Sequence, residues 1–154
     1  VPGIALRTTM MVGHPGETDE DFADLLDFVS QMRFERLGAF QYSHEEGTYA
    51  YKHCQDDVPP EVKQERYDAL MSLQANISAS VNSRRVGTSL EVVVDREEED
   101  YYVGRTQYDS PEVDGEVILS SDSPLRVGSF YQAEITGVEE YDLIATTSPE
   151  HLIL

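Results

Sequence analysis

Cysteine occurs once in this 154-residue sequence, at Cys54, so no disulfide can close within the chain and no cluster held by several thiolates can be built from it. Basic residues are scarce as well: 11 Lys and Arg face 30 Asp and Glu, for a net charge of −19. A phosphate backbone is bound through cationic contacts, so this balance argues against direct RNA binding. Long apolar runs are missing. No stretch approaches the roughly 20 residues that span a bilayer, and the first residues lack the pattern of a signal peptide. These absences predict a soluble, cytoplasmic protein with no membrane partner. His14, His44, His53 and His151 do not share the spacing of a metal site on one helix, so no metal ligand is assigned.

What is present fits one domain or two small ones, because 40% apolar content supports a core without making it generous. Residues 4–12 are apolar or β-branched apart from Arg7 and predict a buried parallel strand. The run stops at the turn Gly13-His14-Pro15-Gly16-Glu17. Thr18 then opens a Thr-x-x-Asp capping box, and Phe22, Leu25, Leu26, Val29 and Met32 recur at helical spacing, which predicts an amphipathic helix over about 18–33. Residues 36–42 predict the next strand, completing a strand–helix–strand unit whose strands run parallel. Ligands of such units sit at the carboxyl ends of the strands, which here carry residues 13–17 and 42–48. Taken singly, Glu17 is equally an acid at a helix N-terminus and Tyr42 an aromatic at a strand end.

After a polar connector, Pro59-Pro60 lead into a second helix with Val62, Leu70, Leu73, Ile77 and Val81 as its stripe, ended by Gly87. The domain boundary is placed at 83–88, giving domains of 1–84 and 85–154. Two parallel strands with two helices lack neighbours on both edges and cover on both faces. The first domain is therefore expected to be incomplete, to expose apolar surface and to self-associate.

The last third alternates β-prone runs with Gly, Pro, Asp and Ser, which predicts a small barrel or sandwich. Residues 104–117 (Gly104-Arg105-Thr106-Gln107-Tyr108-Asp109-Ser110-Pro111-Glu112-Val113-Asp114-Gly115-Glu116-Val117) are read as one long connection, too long for a plain hairpin. Its excess length points to a binding loop, although Pro111 and Asp114-Gly115 are also ordinary turn chemistry. Acidic excess is uneven: residues 85–154 carry −12 and residues 1–84 carry −7. The second domain is thus the better attractor of a basic protein.

The runs at 8–22 and 40–48 together resemble the late strands of the radical-SAM methylthiotransferases, and Gly104-Arg105-Thr106 resembles the TRAM domain that closes those enzymes. Within that family, Tyr42-Ser43-His44-Glu45-Glu46-Gly47-Thr48 and the acidic run at 109–115 resemble the RimO branch, which methylthiolates an aspartate of small-subunit ribosomal protein number twelve. The resemblance implies an α+β chain: β/α units from the end of a TIM-like half-barrel, followed by a small antiparallel TRAM β-barrel of OB-like form. It implies S-adenosylmethionine and two 4Fe-4S clusters in the full enzyme. With a single cysteine, this chain is expected to hold none of them and to be inactive alone. By the same resemblance Gly13, Glu17, Phe40, Gln41 and Tyr42 line the cofactor, and no catalytic residue is assigned. Arg105, Tyr108, Asp109, Glu112 and Asp114 are expected to dock the basic ribosomal protein. Arg105 serves equally as a structural pin to a carboxylate. Two readings compete: a fragment of the tRNA adenosine branch, which predicts a basic rim on the barrel, and an acidic, non-enzymatic module for basic proteins. A chain opening on Val1-Pro2, without initiator Met, weighs against the second.

Overall fold

The computed structural model describes residues 4–110, 114–139 and 141–153. Along them run β1 (Arg7–Val12), α1 (Asp19–Met32), β2 (Arg36–Gln41), α2 (Tyr49–His53) and α3 (Pro60–Ser83). There follow β3 (Ser89–Glu97), β4 (Tyr102–Thr106), β5 (Val117–Ser120), β6 (Phe130–Glu139), β7 (Asp142–Thr146), a 3-10 turn Pro149–His151 and β8 (Leu152–Ile153). Contacts separate two units, Val1–Ile77 and Ser78–Leu154, and α3 runs across the division.

In the first unit β1 and β2 pair in parallel, from Arg7↔Arg36 to Val12↔Gln41, with α1 as the crossover. The expected capping box starts α1: Thr18 Oγ1 accepts from the Asp21 amide, and the Asp21 carboxylate accepts from the Thr18 amide. Those Thr18 bonds, the backbone one first, hold the Asp21 carboxyl below its usual range. Arg33 closes the helix in the left-handed region at φ 50°. Val29 is fully buried, but Met32 is 44% exposed and lies off the buried face where its spacing had put it. Strand alternation leaves Thr9 and Met11 of β1 beside Gly38 and Phe40 of β2 on the open face. The parallel pair and its exposed apolar side chains are as expected, but residues 4–12 are not a buried strand: Ile4, Leu6 and Met11 are 54%, 40% and 40% exposed, because nothing among the described residues covers them.

Helix α3 departs from the expected stripe. Its most buried positions in the first unit are Lys63, Arg66, Leu70, Gln74 and Ile77, so two cations and an amide share the covered face. Val62 and Leu73 are only half-buried. Hydropathy spacing overlooked Lys63 and Arg66 because it counts charge as outward-facing.

The second unit is a closed barrel in the order β3-β4-β5-β7-β6, closed by the β3–β6 ladder, with β8 added along β6. The β5–β7 pair is parallel and the other ladders are antiparallel. Period-two alternation sends Val92, Val94, Leu119, Tyr131, Ala133, Ile135, Leu143 and Ala145 inward to one core. The stretch at 104–117 is not a single loop: residues 104–106 are the end of β4, paired with β3 on one side and, at Gly104, with β5 on the other. Gly104 and Arg105 have little intrinsic preference for a strand, and pairing with β3, and with β5 at Gly104, overrides it.

Gly104 is glycine for a steric reason. A Cβ there would collide with the Val93 carbonyl oxygen and the Val92 side chain, whereas at Gly137 it would make ordinary contact with Ile144. Gly104→Ala is expected to lower barrel stability by about 1–3 kcal/mol, as overpacking does, and Gly137→Ala by clearly less. Urea unfolding of the two variants checks this; equal losses would refute the close-approach account.

Candidate functional site

The strand ends of the first unit hold the first group of candidate residues. Gly13 sits at φ 73°, and any Cβ there would run into the aliphatic stem of Lys63. Its amide donates to both carboxylate oxygens of Glu17, at 3.0 and 3.1 Å. Arg66 Nη1 donates to Glu17 Oε1 at 2.7 Å and to the Glu17 carbonyl at 3.2 Å, while Nη2 donates to Asp19 at 2.8 Å. Burial disfavours the Arg66 cation, but the bonds to Asp19 and Glu17 outweigh it and raise the pKa. Glu17 thus folds the 13–17 turn onto α3. Asp57 completes the turn by accepting from the Gly16 amide at 2.8 Å.

Tyr42 is buried, and its amide continues the sheet by donating to the Val12 carbonyl at 2.8 Å. Its hydroxyl meets His44 Nδ1 at 2.9 Å, and the His14 ring stands edge-on at 5.2 Å. Lys63 Nζ lies 5.1 Å from the ring centroid and donates to Asp56 at 2.7 Å. Burial first, then the charges of Asp56 and Cys54, push the Tyr42 phenol up. Phe40 is 46% exposed, side by side with Met11 on the open sheet face. Gln41 points the other way, its Nε2 donating to Gln64 of α3 at 2.8 Å. Gly13, Glu17, Phe40, Gln41 and Tyr42 therefore gather at one strand end, but only Phe40 presents its side chain on the open face.

In the second unit Arg105 takes its structural option: Nε donates to both oxygens of Asp95, at 3.1 and 3.0 Å, pinning β4 to β3. Asp109 is 9% exposed, and its Oδ2 accepts from the amide and hydroxyl of Thr106. Asp114 accepts from the Ser110 amide at 2.6 Å. Both acids spend hydrogen bonds on the turn, as short acidic side chains do in Asx turns. The Tyr108 ring lies 4.9 Å from the Arg85 guanidinium carbon. Glu112 lies outside the described residues. Beside this stretch, Arg96 holds Glu116 through two bonds of 2.7 and 2.9 Å and Glu98 through a third. The bond from Arg96 is the chief cause that keeps the Glu116 carboxyl below its usual range.

A hollow lies on the outer face of β6. It measures about 460 Å³, and its lining includes Ser89, Asp122, Gln132, Glu134, Thr146 and Ser148. None of these was singled out from sequence. The alternation of residues 130–136 marks Gln132 and Glu134 as outward, but only the ladders bring Ser89 and Thr146 beside Glu134.

The TRAM domain family matches residues 86–147. The chain is 63% identical over 143 residues to the ribosomal protein uS12 methylthiotransferase RimO of Parabacteroides distasonis, covering 93% of this chain and 33% of that protein. It is 59% identical over 147 residues to the enzyme of the same name from Porphyromonas gingivalis, and 56% over 146 residues to that from Bacteroides thetaiotaomicron. Each of these two matches covers 94% of this chain and 34% of the relative. The chain thus spans about a third of the length of the curated relatives it matches.

Two outcomes follow from the site. Arg66→Met is expected to destabilise the first unit by about 3 kcal/mol, because it strands a mostly buried carboxylate, and to speed hydrogen exchange at the Gly13 amide. Asp19→Asn, removing the exposed partner, should cost under about 1 kcal/mol; equal effects would refute the role given to Glu17. The lowered pKa of Glu116 means that its contribution is complete above the ordinary carboxylate range and is lost as pH falls through the depressed value. Glu116→Gln should therefore be less stable than the parent at neutral pH and indistinguishable from it in strong acid, measured by thermal melts across pH. A gap that does not change with pH would contradict the pairing.

Proposed function

We propose that this chain, which is similar over most of its length to ribosomal protein uS12 methylthiotransferases, is part of an enzyme of that family, attaching a methylthio group to the β-carbon of an aspartate in that ribosomal protein. The carrying observation is the 63% identity over 93% of the chain. In this reading radical S-adenosylmethionine chemistry does the transfer in the cytoplasm, and the chain supplies one wall of the cofactor pocket and a docking barrel. The reading at the pocket rests on Met11 and Phe40, an exposed apolar ledge beside the 13–17 turn, which suits a flat base. Glu17 acts there as a positioning residue, holding the turn through Gly13 and Arg66.

The residues present do not fit an iron–sulfur cluster. Cys54 is the only thiol, and among the described residues no three His, Cys, Asp or Glu converge as metal ligands. The clusters of the proposed enzyme belong to residues beyond this chain, which is inactive by itself. Its open sheet face is the surface through which the isolated chain would self-associate.

The barrel is proposed to meet the basic ribosomal protein. Its charge of −12 favours such an encounter and repels bare RNA. A fragment of the tRNA-modifying branch is less well supported, because Arg96 and Arg105 are already paired with carboxylates. The test is titration of the chain with purified uS12 and, separately, with a tRNA anticodon stem-loop. Expected is saturable binding to uS12 that weakens about tenfold from low to moderate salt, with no comparable RNA affinity. Binding to the stem-loop alone would overturn the proposal.

A further inference from the structure

We propose that the hollow on the outer face of β6 is a subsite for an arginine or lysine side chain of a basic peptide segment. The inference deepens the reading that the barrel docks a basic protein and rests on it. Most acids near β4 are committed: Asp95 to Arg105, Glu116 to Arg96, Asp109 and Asp114 to their own turns. In the hollow the balance differs. Among the described residues, no hydrogen bond or ion pair engages the side chains of Ser89, Asp122, Gln132, Glu134 or Thr146; no Lys or Arg lines the space, and its one titratable base, His151, has its Nδ1 3.4 Å from Ser148 Oγ. The walls are nevertheless fixed by the fold: Gly87 N donates to the Ile135 carbonyl at 2.8 Å, Thr147 N to the Ser120 carbonyl at 3.1 Å, and Thr147 Oγ1 to the Gln132 carbonyl at 2.7 Å. A preformed space with uncommitted polar groups binds without the cost of first breaking internal bonds.

The chemistry of the lining selects the ligand. Two carboxylates, an amide oxygen and hydroxyls accept hydrogen bonds, and ammonium and guanidinium groups are donors only. A phosphate would be repelled by Glu134 and Asp122. At about 460 Å³ the space holds a long side chain with part of its backbone. Along the same outward register of β6, Phe130 is 46% exposed and paired across the ladder with Ile153, 37% exposed. That apolar step beside the acidic hollow fits a segment in which a basic residue is flanked by an apolar one. One exposed carboxylate contributes little to binding, so the selectivity comes from the two acids acting with the neutral acceptors of the lining.

The test uses the whole chain, labelled with nitrogen-15, titrated with the peptide amides Arg-Phe-Arg and Lys-Phe-Lys, and separately with a hexauridine RNA. Expected are amide shifts concentrated at residues 87–89, 132–134 and 146–148 with both peptides and none with RNA. The variant Glu134→Gln/Asp122→Asn should weaken peptide binding about fivefold, one surface ion pair's worth. Glu99→Gln, removing an exposed acid outside the hollow, should leave it unchanged. Shifts scattered over the acidic surface, equal weakening by Glu99→Gln, or RNA shifting the same amides would overturn the subsite. If uS12 binds but ignores the double variant, the subsite fails and the enzyme reading stands. If the peptides bind in the hollow and uS12 does not displace them, the subsite stands and the docking reading fails.

Discussion

Every strand edge carries peptide groups that must find partners, and the two units of this chain meet that demand in opposite ways. In the second unit β3 pairs with β4 on one side and with β6 on the other, so the sheet closes on itself. Closure requires β4 to approach β3 without a side chain in the way, and Gly104 permits it. In the first unit the two parallel strands have no further partner among the described residues, and Met11 and Phe40 stand on an uncovered face. The same rule that makes the barrel self-sufficient makes the first unit dependent on something further. That asymmetry agrees with a chain spanning about a third of its relatives' length.

Charge is handled with equal economy. A net charge of −19 reads as a repulsive surface, yet several of the acids are structural components. Glu17 is wrapped by the Gly13 amide and Arg66, Asp109 caps its own turn, and Glu116 ties the residues after the 109–115 run to Arg96. The scarce cations are used the same way, with Lys63 and Arg66 buried against carboxylates on α3. A buried pair of this kind tolerates neither partner alone, and so it fixes the geometry of the turn more than it adds stability. Among the described acids without a side-chain partner, which also include Glu91, Glu99 and Asp100, Glu134 and Asp122 are the two that line the hollow beside β6.

Local pattern was sufficient for much of this molecule. The Thr18 capping box, the spacing of the α1 residues and the inward alternation at 130–135 all depend on neighbours within a few residues, so the sequence by itself determined them; the parallel pair flanking α1 was legible because a helix between two β-prone runs is the usual crossover. It also determined that the chain carries too few thiols for a cluster. What only the tertiary structure decided depends on partners distant in the chain. It turned 104–106 into a strand, because residues 92–94 of β3 pair with it on one side and Val117 of β5 pairs with Gly104 on the other. It moved Asp109 from an exposed docking acid to a buried turn acceptor, and it turned Gln41 away from the open face that holds Phe40. It brought Ser89 and Thr146 to opposite sides of Glu134, 45 and 12 positions away in sequence. The physical reason is the same in each case: a side chain's role is set by which groups are left unsatisfied around it, and those groups come from other strands.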